Sequence, residues 1–137
     1  MRVVIDTNVL ISGIFFSGLP AKILDHWKKR AFLSVISEPI IIEYVRVAEE
    51  ISRKFPLIKI AEILDLFILN SEIVDTNGIE IKECEDPDDD KFLECAIAGG
   101  CQIIVSGDKY LLNIAKYQEV KILKPRNFLD QYVSRRK

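Results

Sequence analysis

At two places in this chain an apolar run ends on a carboxylate: Val3, Val4, Ile5 lead into Asp6, Thr7, Asn8, and Ile103, Ile104, Val105 lead into Ser106, Gly107, Asp108. An acid directly after a β-branched run sits at the carboxyl end of a strand, the edge where open α/β sheets bind ligands. A third acidic group, Asp86, Pro87, Asp88, Asp89, Asp90, is the densest charge in the chain, and Glu43 lies in a helical segment further upstream. Four carboxylates converging on one crevice repel each other and require a cation. Oxygen ligands without paired histidines or thiolates select hard ions such as Mg²⁺ or Mn²⁺. Such ions beside an open crevice suit phosphodiester hydrolysis, where one metal lowers the pKa of a water and a second stabilises the leaving oxygen.

Each acid also has a purely structural explanation. Asp6 and Asp108 could cap the helical segments that follow, residues 9–15 and 110–115. Asp86 could be an N-cap with Pro87 at the first helical position and the next acids favoured by the helix dipole. Phase separates these acids. At about 100° per residue, Phe92, Leu93, Ala96 and Ile97 define the buried face of that helix, which puts Asp89 near its centre and swings Asp88 and Asp90 away. Asp89 is therefore expected to point toward the sheet, where a carboxylate is costly unless paired, capped or metal-bound. Glu43 lies at the margin of the face formed by Ile40, Ile41, Tyr44, Val45, Ala48 and Ile51, and a solvated glutamate paired with Arg46 accounts for it equally well.

The elements that must carry these residues alternate. Strand-like runs occur at 3–5, 32–36, 73–74 (or 79–81), 103–105 and 120–123, separated by segments of helical periodicity. Pro20 opens one helix through Trp27, Ser37 caps another running from Pro39 to about Arg53, Lys59 to Leu69 makes a third, and Asp86 and Pro125 begin the last two. Alternation implies parallel pairing with right-handed crossovers, hence a three-layer α/β/α sandwich on a five-stranded parallel sheet of order 3-2-1-4-5. Strands 1 and 4 then meet where the winding reverses, and Asp6 and Asp108 flank the crevice.

Composition bounds the function. At 137 residues and 49% hydrophobic the chain fits one domain, residues 1–137, with apolar material for a core. A net charge of -2 argues against holding nucleic acid by bulk electrostatics, so a polyanion must meet a local basic patch or a metal. Cys84, Cys95 and Cys101, with His26 alone and distant, indicate neither disulfide framework nor zinc site. Short apolar stretches interrupted by charge lead to the expectation of a soluble cytoplasmic protein. Lys109 is the better candidate phosphate contact beside the basic runs Lys28, Lys29, Arg30 and Arg135, Arg136, Lys137. Phe15, Phe16 and Trp27 are candidates for a partner surface or for the core.

Taken together, three segments resemble the PIN domain family and, within it, the VapC-type toxin ribonucleases. They are Val4 to Leu10, Asp86 to Leu93 and Ile104 to Leu112, with Ser37 and Glu43 between them. The resemblance implies an Mg²⁺- or Mn²⁺-dependent endoribonuclease whose acidic quartet maps onto Asp6, Glu43, Asp89 and Asp108. Asn8 and Ser106 resemble polar residues that orient the carboxylates or water, and Asp86 and Asp90 flank Asp89 in the same supporting role. An RNA substrate, a homodimer and a small antitoxin are the implied partners. Two rival readings remain. An aspartate-nucleophile phosphatase of the haloacid dehalogenase type would want a second carboxylate where Asn8 stands and a late acid near Leu112. A PIN-like scaffold that binds RNA or protein without cutting would use the acids only as caps.

Overall fold

Val3, Val4 and Ile5 are buried on both faces, as befits a strand inside a parallel sheet, and they form β1 (Arg2–Ile5) at the centre of the molecule. The structure, a computed structural model, describes residues 1–56 and 59–133; the basic run Arg135, Arg136, Lys137 lies outside them. From β1 the chain passes through α1 (Thr7–Phe15) and α2 (Leu19–Lys28) to β2 (Leu33–Ser37), which pairs with β1 in parallel. The long amphipathic α3 (Glu38–Lys54) and then α4 (Ile60–Leu69) return it to the edge strand β3 (Glu72–Val74). Ile79 to Ile81, the other candidate for this strand, falls in the connecting segment, where the Ile81 amide donates to Glu94 Oε2 at 3.0 Å.

A short 3₁₀ turn, Pro87–Asp89, leads into α5 (Asp90–Ala98), which packs on β1, β2 and β4. α5 is released into β4 (Ile103–Val105) by a glycine pair. Gly100 adopts φ +61°, and a Cβ on Gly99 would stand 2.7 Å from Val35 Cγ1. α6 (Lys109–Ile114), β5 (Lys116–Tyr117), β6 (Val120–Leu123) and α7 (Pro125–Phe128) with a π-type turn at Leu129–Val133 complete the described chain.

The sheet order is β3-β2-β1-β4-β6-β5. Its five parallel strands follow the expected 3-2-1-4-5 winding, with β6 in fifth place. The expectation of five strands is corrected to six, because β5 folds back antiparallel onto β6 with Tyr117 opposite Val120. Two residues cannot show an alternating pattern. The turn places Gln118 at φ 51° in the left-handed region, without the Asn-Gly or Asp-Gly signature that marks such hairpins. Among the described residues no single helix is long and apolar enough to cross a membrane.

Candidate functional site

Register brings the first two site residues together. Ile5 pairs with Val105, so Asp6 and Ser106 are the next residues on neighbouring parallel strands. The Asp6 amide donates to the Val105 carbonyl at 2.9 Å, and the Ser106 amide to that of Leu123 at 3.0 Å, carrying the ladder one step beyond the strands. Ser106, fully buried, donates its hydroxyl to Asp6 Oδ2 at 2.7 Å and accepts the Asp108 amide at 2.9 Å. One hydroxyl thus ties both strand-end acids to each other. The structural explanation separates here: Asp6 makes no side-chain cap to α1, whereas Asp108 Oδ1 accepts the Tyr110 amide at 2.7 Å and caps α6.

Asp6 is only 5% exposed. Burial pushes its carboxyl up to about 6, against the pull of the Ser106 hydroxyl, and the charges of Glu43 and Asp108 raise it further. Asp89 is pushed up to about 7, first by burial and then by Asp108, Asp6, Asp86 and Glu43. These acids therefore lie within electrostatic reach of one another and feel each other's charge. Asp89 Oδ2 is buried and accepts no hydrogen bond.

The neighbours of Asp89 divide differently from the expectation. Asp88 is exposed, as phase predicts, but Asp90 is buried, more so than Asp89, and does not swing away. Its Oδ1 accepts the Glu83 and Cys84 amides at 3.2 and 2.8 Å and so pins the preceding segment. The helical phase fails because residues 87–89 form a 3₁₀ turn, whose step is nearer 120° per residue. Asp86 caps that turn, accepting the Asp88 amide at 3.0 Å. Ser37, expected to cap α3, makes no such bond.

Glu43 reaches the crevice from α3 and is heavily engaged. Oε2 accepts the Thr7 hydroxyl, while Oε1 meets Lys91 Nζ at 2.6 Å and Arg46 at 3.9 Å. The next residue, Tyr44, is fully buried and donates its hydroxyl to the Ile5 carbonyl, which fixes α3 against the end of β1. Asn8 is exposed on the first turn of α1, and Lys109 is exposed with its ammonium 5.3 Å from the Tyr110 ring. Thr7 and Lys91 are contacts that the sequence did not reveal. Thr7 sat inside the Asp-Thr-Asn motif, but nothing local links it to a glutamate 36 residues away.

The donor set fits a hard divalent ion. Asp6, Asp89 and Asp108 offer only oxygens, and the orphaned buried Asp89 Oδ2 lacks the partner that such a group requires. Among the described residues no three histidine, cysteine or carboxylate side chains form a preassembled ligand group. The acids are coupled through their charge, while their side chains stop short of a common point.

The fold and site define an α/β sandwich on a mostly parallel sheet, with unneutralised acids at the reversal of its winding. A family model described as PIN domain matches residues 2–110, and the chain belongs to that family. Among solved structures, that of VapBC2 from Rickettsia felis bound to a DNA fragment from their promoter matches with a TM-score of 0.60 and 17% identity, over 90% of this chain and 98% of that one. Comparison with curated proteins gave no match. PIN domains of the VapC type are generally nucleases, and PIN nucleases generally use divalent metals.

Proposed function

We propose that this PIN domain is an Mg²⁺- or Mn²⁺-dependent endoribonuclease, acting in the cytoplasm as the toxin of a two-component toxin–antitoxin pair. The observation that carries the reading is the buried, unpartnered oxygen of Asp89 beside Asp6 and Asp108, three acids with no protein cation among their described contacts. Asp6, Asp89 and Asp108 would hold the ion, and Glu43 completes the acidic face from α3. When bound, the ion supplies an acidified water and charge stabilisation at the departing oxygen. Ser106 holds the Asp6 carboxylate and the Asp108 backbone in one arrangement, which limits how far the two strand-end acids must move to meet an ion. Lys109, exposed beside Asp108, is available to a substrate phosphate.

An antitoxin and a second copy of the chain are the proposed partners. In support, α4 turns Ile63, Leu66 and Leu69 outward although its other face is already buried, and Phe16 is 60% exposed. The catalytic reading is tested by incubating the protein with single-stranded RNA and Mn²⁺. Fragments are expected that vanish with chelator and fall at least a hundredfold in rate for Asp6→Asn or Asp108→Asn, on the order of losses seen when transition-state charge stabilisation is removed. Equal cleavage by those variants would overturn it, and a labile aspartyl-phosphate on Asp6 would favour the phosphatase instead.

A further inference from the structure

Glu43 differs from the other crevice acids in being neutralised already. Both of its oxygens are occupied, Oε2 by the Thr7 hydroxyl and Oε1 by the Lys91 ammonium at 2.6 Å. The same Nζ lies 3.0 Å from Asp88 Oδ1, so one cation bridges a carboxylate from α3 and another from the 3₁₀ turn. The arm to Glu43 is sheltered, with the Lys91 and Glu43 side chains 12% and 13% exposed, while Asp88 faces solvent at 66%. The ammonium stands 5.7 Å from the Phe92 ring, which further limits its freedom. Bridging two acids is what a divalent ion does in a carboxylate site, and an ammonium with three donors is a fixed point charge suited to the same place. Asp6 and Asp89 stand in contrast. The former meets only a serine hydroxyl among side chains, and one oxygen of the latter meets nothing.

We propose that Lys91 is a built-in substitute for a second metal ion: its ammonium fills the cation position between Glu43 and Asp88, and the crevice takes a single divalent ion on the side of Asp6, Asp89 and Asp108. The proposal rests on the metal-dependent reading above and specifies its stoichiometry and the role of Glu43, which becomes the partner of Lys91 instead of a ligand. A second divalent ion at Glu43 would have to displace an ammonium tethered to α5, and like charge opposes its entry.

Mn²⁺ titration of the full chain without RNA, followed by calorimetry and by the electron paramagnetic resonance signal of free Mn²⁺, is the test. Wild type is expected to take one ion. Lys91→Met, which keeps the apolar stem and removes the charge, is expected to take two, and Lys91→Arg one. Two ions in wild type, or one in a folded Lys91→Met, would remove the Lys91 proposal and leave the metal reading standing. Should Lys91→Met not fold, a second pair of variants decides. Glu43→Gln is expected to change the affinity of the single ion less than threefold, while Asp89→Asn weakens it at least tenfold. A tenfold loss in Glu43→Gln would make Glu43 a ligand and overturn the proposal. Absence of Mn²⁺ binding in wild type would overturn the metal reading and the proposal with it.

Discussion

Asp6 and Asp89 hold their protons into a pH range where ordinary carboxylates are ionised, at about 6 and about 7 against a usual 3.8. A proton bound more tightly in the folded chain than in the unfolded one stabilises the fold at low pH. That contribution is lost as pH rises from about 4 through the folded values. Asp88, held low by Lys91, acts in the opposite sense, but its contribution disappears only as pH falls below the usual carboxylate value. Without metal, stability is therefore expected to decline between about pH 4 and 7. For the deeply buried Asp6 a shift of this size corresponds to about 3 kcal/mol. Asp6→Asn, which keeps an acceptor for Ser106, is expected to raise Tm at pH 7.5 by roughly 5 °C or more and to flatten the decline. Melting curves in chelator at pH 5 and 7.5 decide; parallel profiles for wild type and variant would exclude the effect. The strand-end acids were legible in sequence because a β-branched run fixes where a strand ends. Lys91 was not, since a lysine after three aspartates reads as a local ion pair and its stronger partner, Glu43, lies 48 positions upstream on another helix.

Among the elements, α5 does most to assemble the crevice, because it carries Asp90 and Lys91 and leaves through a glycine pair that lets it lie against β2. Gly99 has an ordinary φ near -89°, so its requirement is space: a Cβ there would meet Val35 Cγ1 at 2.7 Å and Cys101 Sγ at 3.2 Å. Gly99→Ala is expected to destabilise by about 1–3 kcal/mol through overpacking. Val35→Ala in the same chain should return part of that loss, whereas two independent, additive losses in urea titrations would refute a direct clash. The sequence located four of the five parallel strands outright and left the edge strand between two candidates, since apolar runs bounded by breakers survive burial unchanged whereas the three-residue β3 is mostly exposed. It failed where the geometry departs from a regular period. The 3₁₀ turn exchanged the expected depths of Asp89 and Asp90, and the two-residue β5 is too short for any pattern to appear.

For the molecule as a whole, charge decides how a polyanion approaches. The chain carries -2 overall, and the proposed site is its acidic end. The exposed run Lys28, Lys29, Arg30 ends α2 and leads toward the start of β2, at the amino ends of the strands and so on the opposite side of the sheet from Asp6 and Asp108. Strands of four or five residues separate the two ends by roughly 15 Å, which leaves those cations unable to neutralise a phosphate in the crevice. Binding of single-stranded RNA should accordingly need the divalent ion and involve few phosphates. With a cleavage-resistant phosphorothioate oligoribonucleotide, fluorescence anisotropy at about 150 mM KCl is expected to show no complex in chelator and a complex with Mn²⁺. Its log–log salt slope should be about -1 to -2, since each phosphate contact on a single strand contributes about -0.7. Replacing Lys28, Lys29 and Arg30 together by glutamine should leave that slope unchanged, while Lys109→Gln should reduce it by about one contact. Tight binding in chelator with a slope steeper than about -4, lost on replacing the Lys28 to Arg30 run, would show instead that RNA is held at the far end of the sheet by bulk positive charge.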